Sequence, residues 1–144
     1  MKAEEIRSAL SNVRLFDNVY SVDTLPSQPN GLMVCNLDPS HRPGTHWVAI
    51  YVDTREKRAE YFDSMGREPC KTIKTYLDRW CKRWTYNCRQ LQSVVSLLCG
   101  HYCIYFCVLR SNGITMREIV NSLSADTAFN DALVHAFACR RLQL

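Results

Sequence analysis

Three side chains in this 144-residue sequence could do nucleophilic chemistry together: Cys99, His46 and Asp63. A thiol attacks as its thiolate, and that form is favoured beside a cation or at a helix N-terminus, where unpaired N–H groups carry partial positive charge. The stretch CGHYCIYFCVLR reads as a helix from Cys99 to about Arg110, which puts Cys99-Gly100 at that positive end. Such settings lower a cysteine pKa from about 8.5 into the range of roughly 3.5–7.5. The same N–H groups can bind the oxyanion of an acyl-transfer intermediate. His46 opens a strong strand straight after Pro43-Gly44, and Asp63 ends the next strand, 17 residues later. Antiparallel neighbours joined by a tight turn can set the two side by side, where an acid would hold the imidazole by its Nδ1. Each residue also has a structural reading. A strand histidine is commonly a satisfied core or edge residue, an aspartate at a strand end commonly forms the turn, and Cys99 could simply pack like Cys103 and Cys107 on the same helical stripe.

The elements that must position these residues follow from periodicity. Residues 3–11 read as a short helix with Ala3, Ile6, Ala9 and Leu10 on one face and Glu4 and Glu5 near its positive end. Residues 16–31, with Pro26, Pro29, Asn30 and Gly31, read as an ordered loop, followed by a strand at 32–36 and a turn at 38–44. THWVAIYV (45–52) suits a strand buried on both faces, and 58–63 reads as its antiparallel partner. Over 70–84 the period becomes helical, with Ile73, Tyr76, Leu77, Trp80 and Trp84 on one stripe and lysines and arginines around the rest. An extended piece near 85–88 and an irregular segment at 90–98 lead to the Cys99 helix, which Asn112-Gly113 should end. Thr115 with Glu118 forms a capping box for a further helix, and a last helix covers roughly 126–141. The expected fold is α+β in one domain, residues 1–144. A short mixed or antiparallel sheet is packed by helices, with the nucleophile at the N-terminus of a central helix.

Composition narrows the function classes. Hydrophobic residues make up 47% of the chain, enough for a packed core and too many for a disordered one. No run approaches the roughly 18 apolar residues needed to cross a bilayer. MKAEEIRSAL carries acids where a secretory leader would carry an apolar stretch, so the expectation is a soluble, intracellular monomer that makes no membrane contact. The net charge of +4 is mild and permits an acidic partner without arguing for one. Eight cysteines invite a disulfide framework, a zinc site, or reduced buried thiols. The missing leader argues against the first and the lack of any C-x-x-C pair against the second, so no metal is expected. Most of the eight should be inert hydrophobes.

The strings GTHWVAIYVDTREKRAEYFDSMG and LQSVVSLLCGHYCIYF carry more than these separate signals. With the lead Asn36-Leu37-Asp38-Pro39 and Pro43-Gly44, they resemble the adenovirus maturation protease family and its relatives encoded by large DNA transposons. More distantly they resemble the proteases that remove ubiquitin-like modifiers. The resemblance covers roughly residues 16–112 and preserves the order His, acid, Gln, Cys. It implies a cysteine endopeptidase with Cys99 as nucleophile, His46 as base, Asp63 as its partner and Gln92 as a side-chain donor to the oxyanion hole beside the Cys99 N–H. It implies that Trp47 walls the site, with Gly100 beside it on the substrate side. A narrow groove between Trp47 and the Gln92–Cys99 loop would exclude side chains, so cleavage is expected near glycine in viral or transposon structural precursor proteins. Release of a ubiquitin-like modifier, or a non-catalytic binding module on the same fold, are the alternatives. The Asp where adenovirus proteases usually carry Glu leans toward the deconjugating branch. No cofactor is needed for the chemistry, but the resemblance implies a DNA or disulfide-linked peptide activator and residence in a host nucleus or virion. Lys71, Lys74, Lys82 and Arg83, on the basic face of the 70–84 helix, are the candidates for weak nucleic-acid binding, and Cys81 and Cys88 for peptide attachment.

Overall fold

The apolar runs at 31–36 and 47–53 form the middle of a five-stranded sheet whose order is β1-β2-β3-β4-β5. The computed structural model describes residues 1–41 and 45–142, so Pro43 and Gly44 lie outside the described residues. The strands are β1 (Phe16–Ser21), β2 (Gly31–Asn36), β3 (Trp47–Asp53), β4 (Arg58–Phe62) and β5 (Arg83–Tyr86). β2, β3 and β4 are antiparallel neighbours, while β1 runs parallel to β2 and β5 parallel to β4. The sheet is therefore mixed.

All six residues of β2 are buried, as expected of a strand covered on both faces. Alternation sends Leu32 and Val34 to one side with Ala49 and Phe62, and Met33 and Cys35 to the other with Val48, Ile50 and Tyr61. The first side is covered by α3 (Cys99–Ser111), with α1 (Ala3–Leu10), α4 (Met116–Asn121) and α5 (Thr127–Leu142) around it. Phe62 stacks on Phe106 of α3 at 4.6 Å between ring centroids. The second side is covered by α2 (Lys71–Trp80) through Ile73 and Leu77. A ten-residue helix is marginal alone in water, so this docking holds α2 together. Thr115 caps α4 by accepting the Glu118 N–H at 3.2 Å, and Gly113 ends α3 in the left-handed conformation, φ +87°. Among the described residues no helix is long and apolar enough to cross a membrane.

Two elements differ from the sequence expectation. Residues 16–21, expected as loop, form edge strand β1, whose polar composition hides it and whose register shifts between Phe16 and Asn18. The expected helix over 70–84 stops at Trp80. Cys81 turns extended, its N–H closing the last turn on the Leu77 carbonyl, and Arg83 then pairs with Arg58 in the sheet. Trp84 continued the helical spacing from Trp80, but RWTY also suits a strand, and the free edge of β4 decides between them.

Candidate active site

Strand β4 ends at Phe62, paired with Ala49, so Asp63 leaves the sheet beside the start of β3, where His46 stands immediately before Trp47. His46 Nε2 and Asp63 Oδ1 are 2.7 Å apart, with 18% and 2% of the side chains exposed. The His46 carbonyl accepts the Leu37 N–H at 3.0 Å, which ties its backbone to the end of β2. The sequence expectation placed Asp63 on Nδ1. The structure puts it on Nε2, because the loop after β4 approaches the ring from that edge, and this leaves Nδ1 for the thiol.

The Asp63 carboxylate is set by its surroundings. Oδ1 also accepts the Met65 N–H at 2.8 Å. Buried Asn87 grips the same peptide from both sides: its Oδ1 accepts the Asp63 N–H at 2.8 Å and its Nδ2 donates to the Asp63 carbonyl at 2.7 Å. Gly66 closes the turn in the left-handed conformation, φ +73°, and a Cβ there would lie 2.6 Å from the Arg89 carbonyl carbon. Asn87 and Gly66 are positioning residues that sequence reasoning missed. Nothing local in YNCRQ tells which amide will meet a peptide 24 residues earlier.

Cys99 is the first residue of α3, as expected, and only 8% exposed. Its Sγ accepts the Trp47 N–H at 3.4 Å. Burial pushes the Cys99 pKa up, but hydrogen bonds from His46, Trp47 and Gly100 and the charge of the imidazole outweigh it, and the pKa lies below the ordinary thiol value. For His46, burial pushes the pKa down, while hydrogen bonds to Asp63 and Cys99 and their charges hold it up at about 9. The two shifts favour a thiolate–imidazolium pair. Other thiols go the opposite way: burial drives Cys103 and Cys107 well up and Cys35 up to about 12. All eight cysteines are free thiols, and five of them are buried.

Gln92 is buried and its amide orientation is fixed by its partners. Nε2 donates to the Ser96 carbonyl at 2.9 Å, an oxygen that can only accept. Oε1 therefore faces the Ser64 hydroxyl, 2.6 Å away. The Ser64 carbonyl accepts the Leu91 and Gln92 N–H groups at 2.8 and 3.0 Å. One Nε2 hydrogen is thus committed to Ser96, leaving the other as the available donor. Ser64 is another contributor that the sequence did not flag.

Trp47 is buried, its indole N–H donating to the Met1 carbonyl at 3.1 Å. A Cβ on Gly100 would approach Met1 Sδ at 3.0 Å and Trp47 Cδ1 at 3.3 Å, so a side chain there would have to push the methionine and the indole aside by a few tenths of an ångström. The basic set is not brought together on one helix. Lys71 and Lys74 stay on α2, Lys74 paired with Glu68 at 3.1 Å, whereas Lys82 follows the helix and Arg83 begins β5. A single basic helix face made of these four does not exist, because the chain leaves the helix to pair with β4. Of the two candidate attachment cysteines, Cys88 is exposed and Cys81 buried.

Residues 35–94 match the Ulp1 protease family, C-terminal catalytic domain. That stretch holds His46, Asp63 and Gln92 and stops short of Cys99. Over 102 residues the chain is 35% identical to a protein of Acanthamoeba polyphaga mimivirus named as a thiol protease, covering 63% of this chain and 33% of the relative. Over 119 residues it is 27% identical to a cysteine protease of African swine fever virus, covering 72% and 42%. The chain thus spans about a third to two-fifths of the length of the curated relatives it matches. A crystal structure of an African swine fever virus protease superposes with a TM-score of 0.61 at 17% identity, over 92% of this chain and 64% of that one. ChlaDub1 from Chlamydia trachomatis superposes with a TM-score of 0.58 at 16% identity, over 98% and 75%. At such identities the likeness is one of fold. The family matched is the wider Ulp1 group rather than the adenovirus branch in particular, and the sequence relatives are viral proteins named as thiol or cysteine proteases.

Proposed function

We propose that the chain is a cysteine endopeptidase working through Cys99, His46 and Asp63, with Gln92 as oxyanion donor. The observation that carries this reading is geometric: a buried carboxylate lies 2.7 Å from His46 Nε2, and the Cys99 thiol, at the first residue of α3, accepts the N–H of Trp47 next to that histidine. The lowered Cys99 pKa and raised His46 pKa agree with it. The Cys99 thiolate attacks the scissile carbonyl carbon. The resulting oxyanion is met by the Cys99 N–H, which has no partner within the first turn of α3, and by the uncommitted hydrogen of Gln92 Nε2. His46 gives its proton to the leaving amine as the C–N bond breaks and a thioester forms. It then takes a proton from water, whose oxygen attacks the thioester, and the acid leaves as the thiolate is restored.

The substrate reading is cleavage near glycine in structural precursor proteins of a virus or large DNA transposon. It rests on the adenovirus-like strings, on the viral sequence relatives, and on the tight approach of Trp47 to Gly100. Deconjugation of a ubiquitin-like modifier is the second reading, favoured by the Ulp1 family match and by African swine fever virus relatives named as SUMO-1 cysteine proteases. A DNA or peptide activator belongs to the first reading, with Cys88 as the reachable thiol. Split basic residues should give only weak, salt-sensitive DNA binding.

Brief alkylation near pH 6, followed by mass spectrometry of tryptic peptides, tests the site. Cys99 should label first, ahead of exposed Cys70 and Cys88, because the His46 imidazole and the start of α3 favour its thiolate. Uniform labelling, or full peptide cleavage by Cys99→Ser, would overturn the reading. Glycine-containing peptides tried beside a ubiquitin-like fusion separate the two substrate classes.

A further inference from the structure

Five large apolar side chains stand in solvent among the described residues, and three of them fall within four consecutive positions: Val94 (73% exposed), Val95 (86%) and Leu97 (87%). Single exposed apolar residues are ordinary on a protein surface, but a contiguous group marks an interaction site. This group lies between Gln92 and Cys99. Its turn is well tied: the Ser96 N–H donates to the Ser93 carbonyl at 3.1 Å, the Val95 N–H to Ser93 Oγ at 3.4 Å, and the Ser96 carbonyl holds the Gln92 amide at 2.9 Å. The Ser93 N–H reaches Asp131 Oδ1 at 3.4 Å. A fourth exposed apolar residue, Phe129, immediately precedes Asn130, whose amide donates to the Leu91 carbonyl at the base of the same loop. The apolar side chains are therefore displayed on a built turn.

We propose that Val94, Val95 and Leu97 are the docking surface for apolar side chains of the polypeptide substrate that flank its scissile bond. The proposal rests on the cysteine protease reading and names what that site recognises. The occupant follows from continuity. Leu97 and Val95 precede Cys99 by two and four residues, and an extended chain advances about 3.3–3.6 Å per residue, so these side chains fall within reach of the few substrate residues next to a carbonyl at Cys99 Sγ. A glycine at the cleaved bond buries almost no side-chain area, so recognition must come from neighbours, and the neighbouring surface is aliphatic. Docking on Val95 and Leu97 also brackets Ser96, whose carbonyl orients the Gln92 amide, so a correctly seated substrate steadies the oxyanion donor.

The test uses peptides with a Michael-acceptor isostere of glycine at the centre, flanked on both sides by leucine or by serine. The rate of Cys99 modification by each is divided by the same protein's rate with iodoacetamide, which cancels any change in the thiolate itself. The natural chain should prefer the leucine probe by roughly tenfold or more, as expected for burying even one aliphatic side chain. The triple variant V94S/V95S/L97S should bring the ratio close to one. Val95→Ser alone, at a position with little packing to lose, should lower it part of the way. A ratio near one in the natural chain, or an unchanged ratio in both variants, overturns the proposal while Cys99-first labelling by iodoacetamide leaves the protease reading standing. Loss of that selective labelling brings down both. If the triple variant instead converts a dimer to a monomer in sedimentation and keeps the probe preference, the patch is a contact between copies and the proposal fails.

Discussion

With only 2% of its side chain exposed, Asp63 acts on His46 from 2.7 Å with little water between to screen it. Its charge is among the causes that hold the His46 pKa at about 9 against the pull of burial. In the proposed mechanism cleavage needs the thiolate, which is lost as pH falls through the lowered Cys99 pKa, and the imidazolium, which is lost as pH rises through about 9. The kcat/KM profile should be a bell with its alkaline limb near that value. Asp63→Asn keeps the shape and removes the charge. His46 should then titrate lower and the alkaline limb should move to lower pH, together with a fall in rate; a limb that stays in place would show that Asp63 does not act on His46 electrostatically. Gln92→Ala should lower kcat about 10²–10³-fold with little change in KM, because an oxyanion donor acts where charge develops. At this scale the sequence was legible where chemistry demands a rare arrangement. Cys99 before Gly100 at a helix start, and His and Asp at the ends of neighbouring strands, could be read from patterns. The ring nitrogen facing the acid could not, since it depends on the side from which the 63–66 turn returns.

The turn after β4 and the segment after β5 work as one clamp. Ser64 and Gly66 come from the first, and Asn87, Arg89 and Gln92 from the second, so the Asp63 carboxylate and the Gln92 amide, the proposed oxyanion donor, are held by the same set of bonds. Gly66→Ala should damage both. Its φ of +73° strains any side chain, and the added methyl meets the backbone of Arg89 and Gln90, which cannot swing aside. A destabilisation of about 1–3 kcal/mol is expected from such strain, read as a lower urea midpoint, together with reduced kcat. Unchanged stability and rate would mean that the two segments are not rigidly joined. Asn87→Ala should lower kcat and also shift the pH profile, because Asp63 loses its grip on the ring; a fall in stability alone would mark it as structural only. The clamp was half legible. The strand ending at Asp63 and the extended piece at 85–88 follow from the sequence, but Arg83 and Trp84 fall in the expected helix because Trp84 keeps the spacing of Trp80, and so the pairing of β5 with β4 that delivers Asn87 to Asp63 is not visible there. Strand β1 was missed for a related reason: FDNVYS is too polar to announce burial, and it is a strand because β2 offers it an edge.

The sheet joins two apolar cores that share its strands. Consecutive β2 residues serve opposite sides, Leu32 and Val34 the α3 side and Met33 and Cys35 the α2 side, and all four are fully buried. Stripping α2 from one face would bare the strands that hold α3, and with them Cys99, so neither core should survive alone. The chain should therefore unfold as one cooperative unit, which is the form that the single-domain expectation takes once the structure is known. Two substitutions test it from opposite faces. Leu77→Ala removes a fully buried side chain under α2, and Phe106→Ala removes the ring stacked on Phe62 under α3. Costs of about 2–5 and 3–5 kcal/mol are expected from the cavities. Each variant should lower one shared midpoint, with far-UV dichroism and tryptophan fluorescence moving together in urea. Trp47 reports from the α3 side and Trp80 and Trp84 from the α2 side, so the probes cover both cores. If Leu77→Ala moves only part of the signal while Cys99 keeps its selective alkylation, or if limited proteolysis leaves two stable fragments, the two faces are separable and the catalytic half stands without α2.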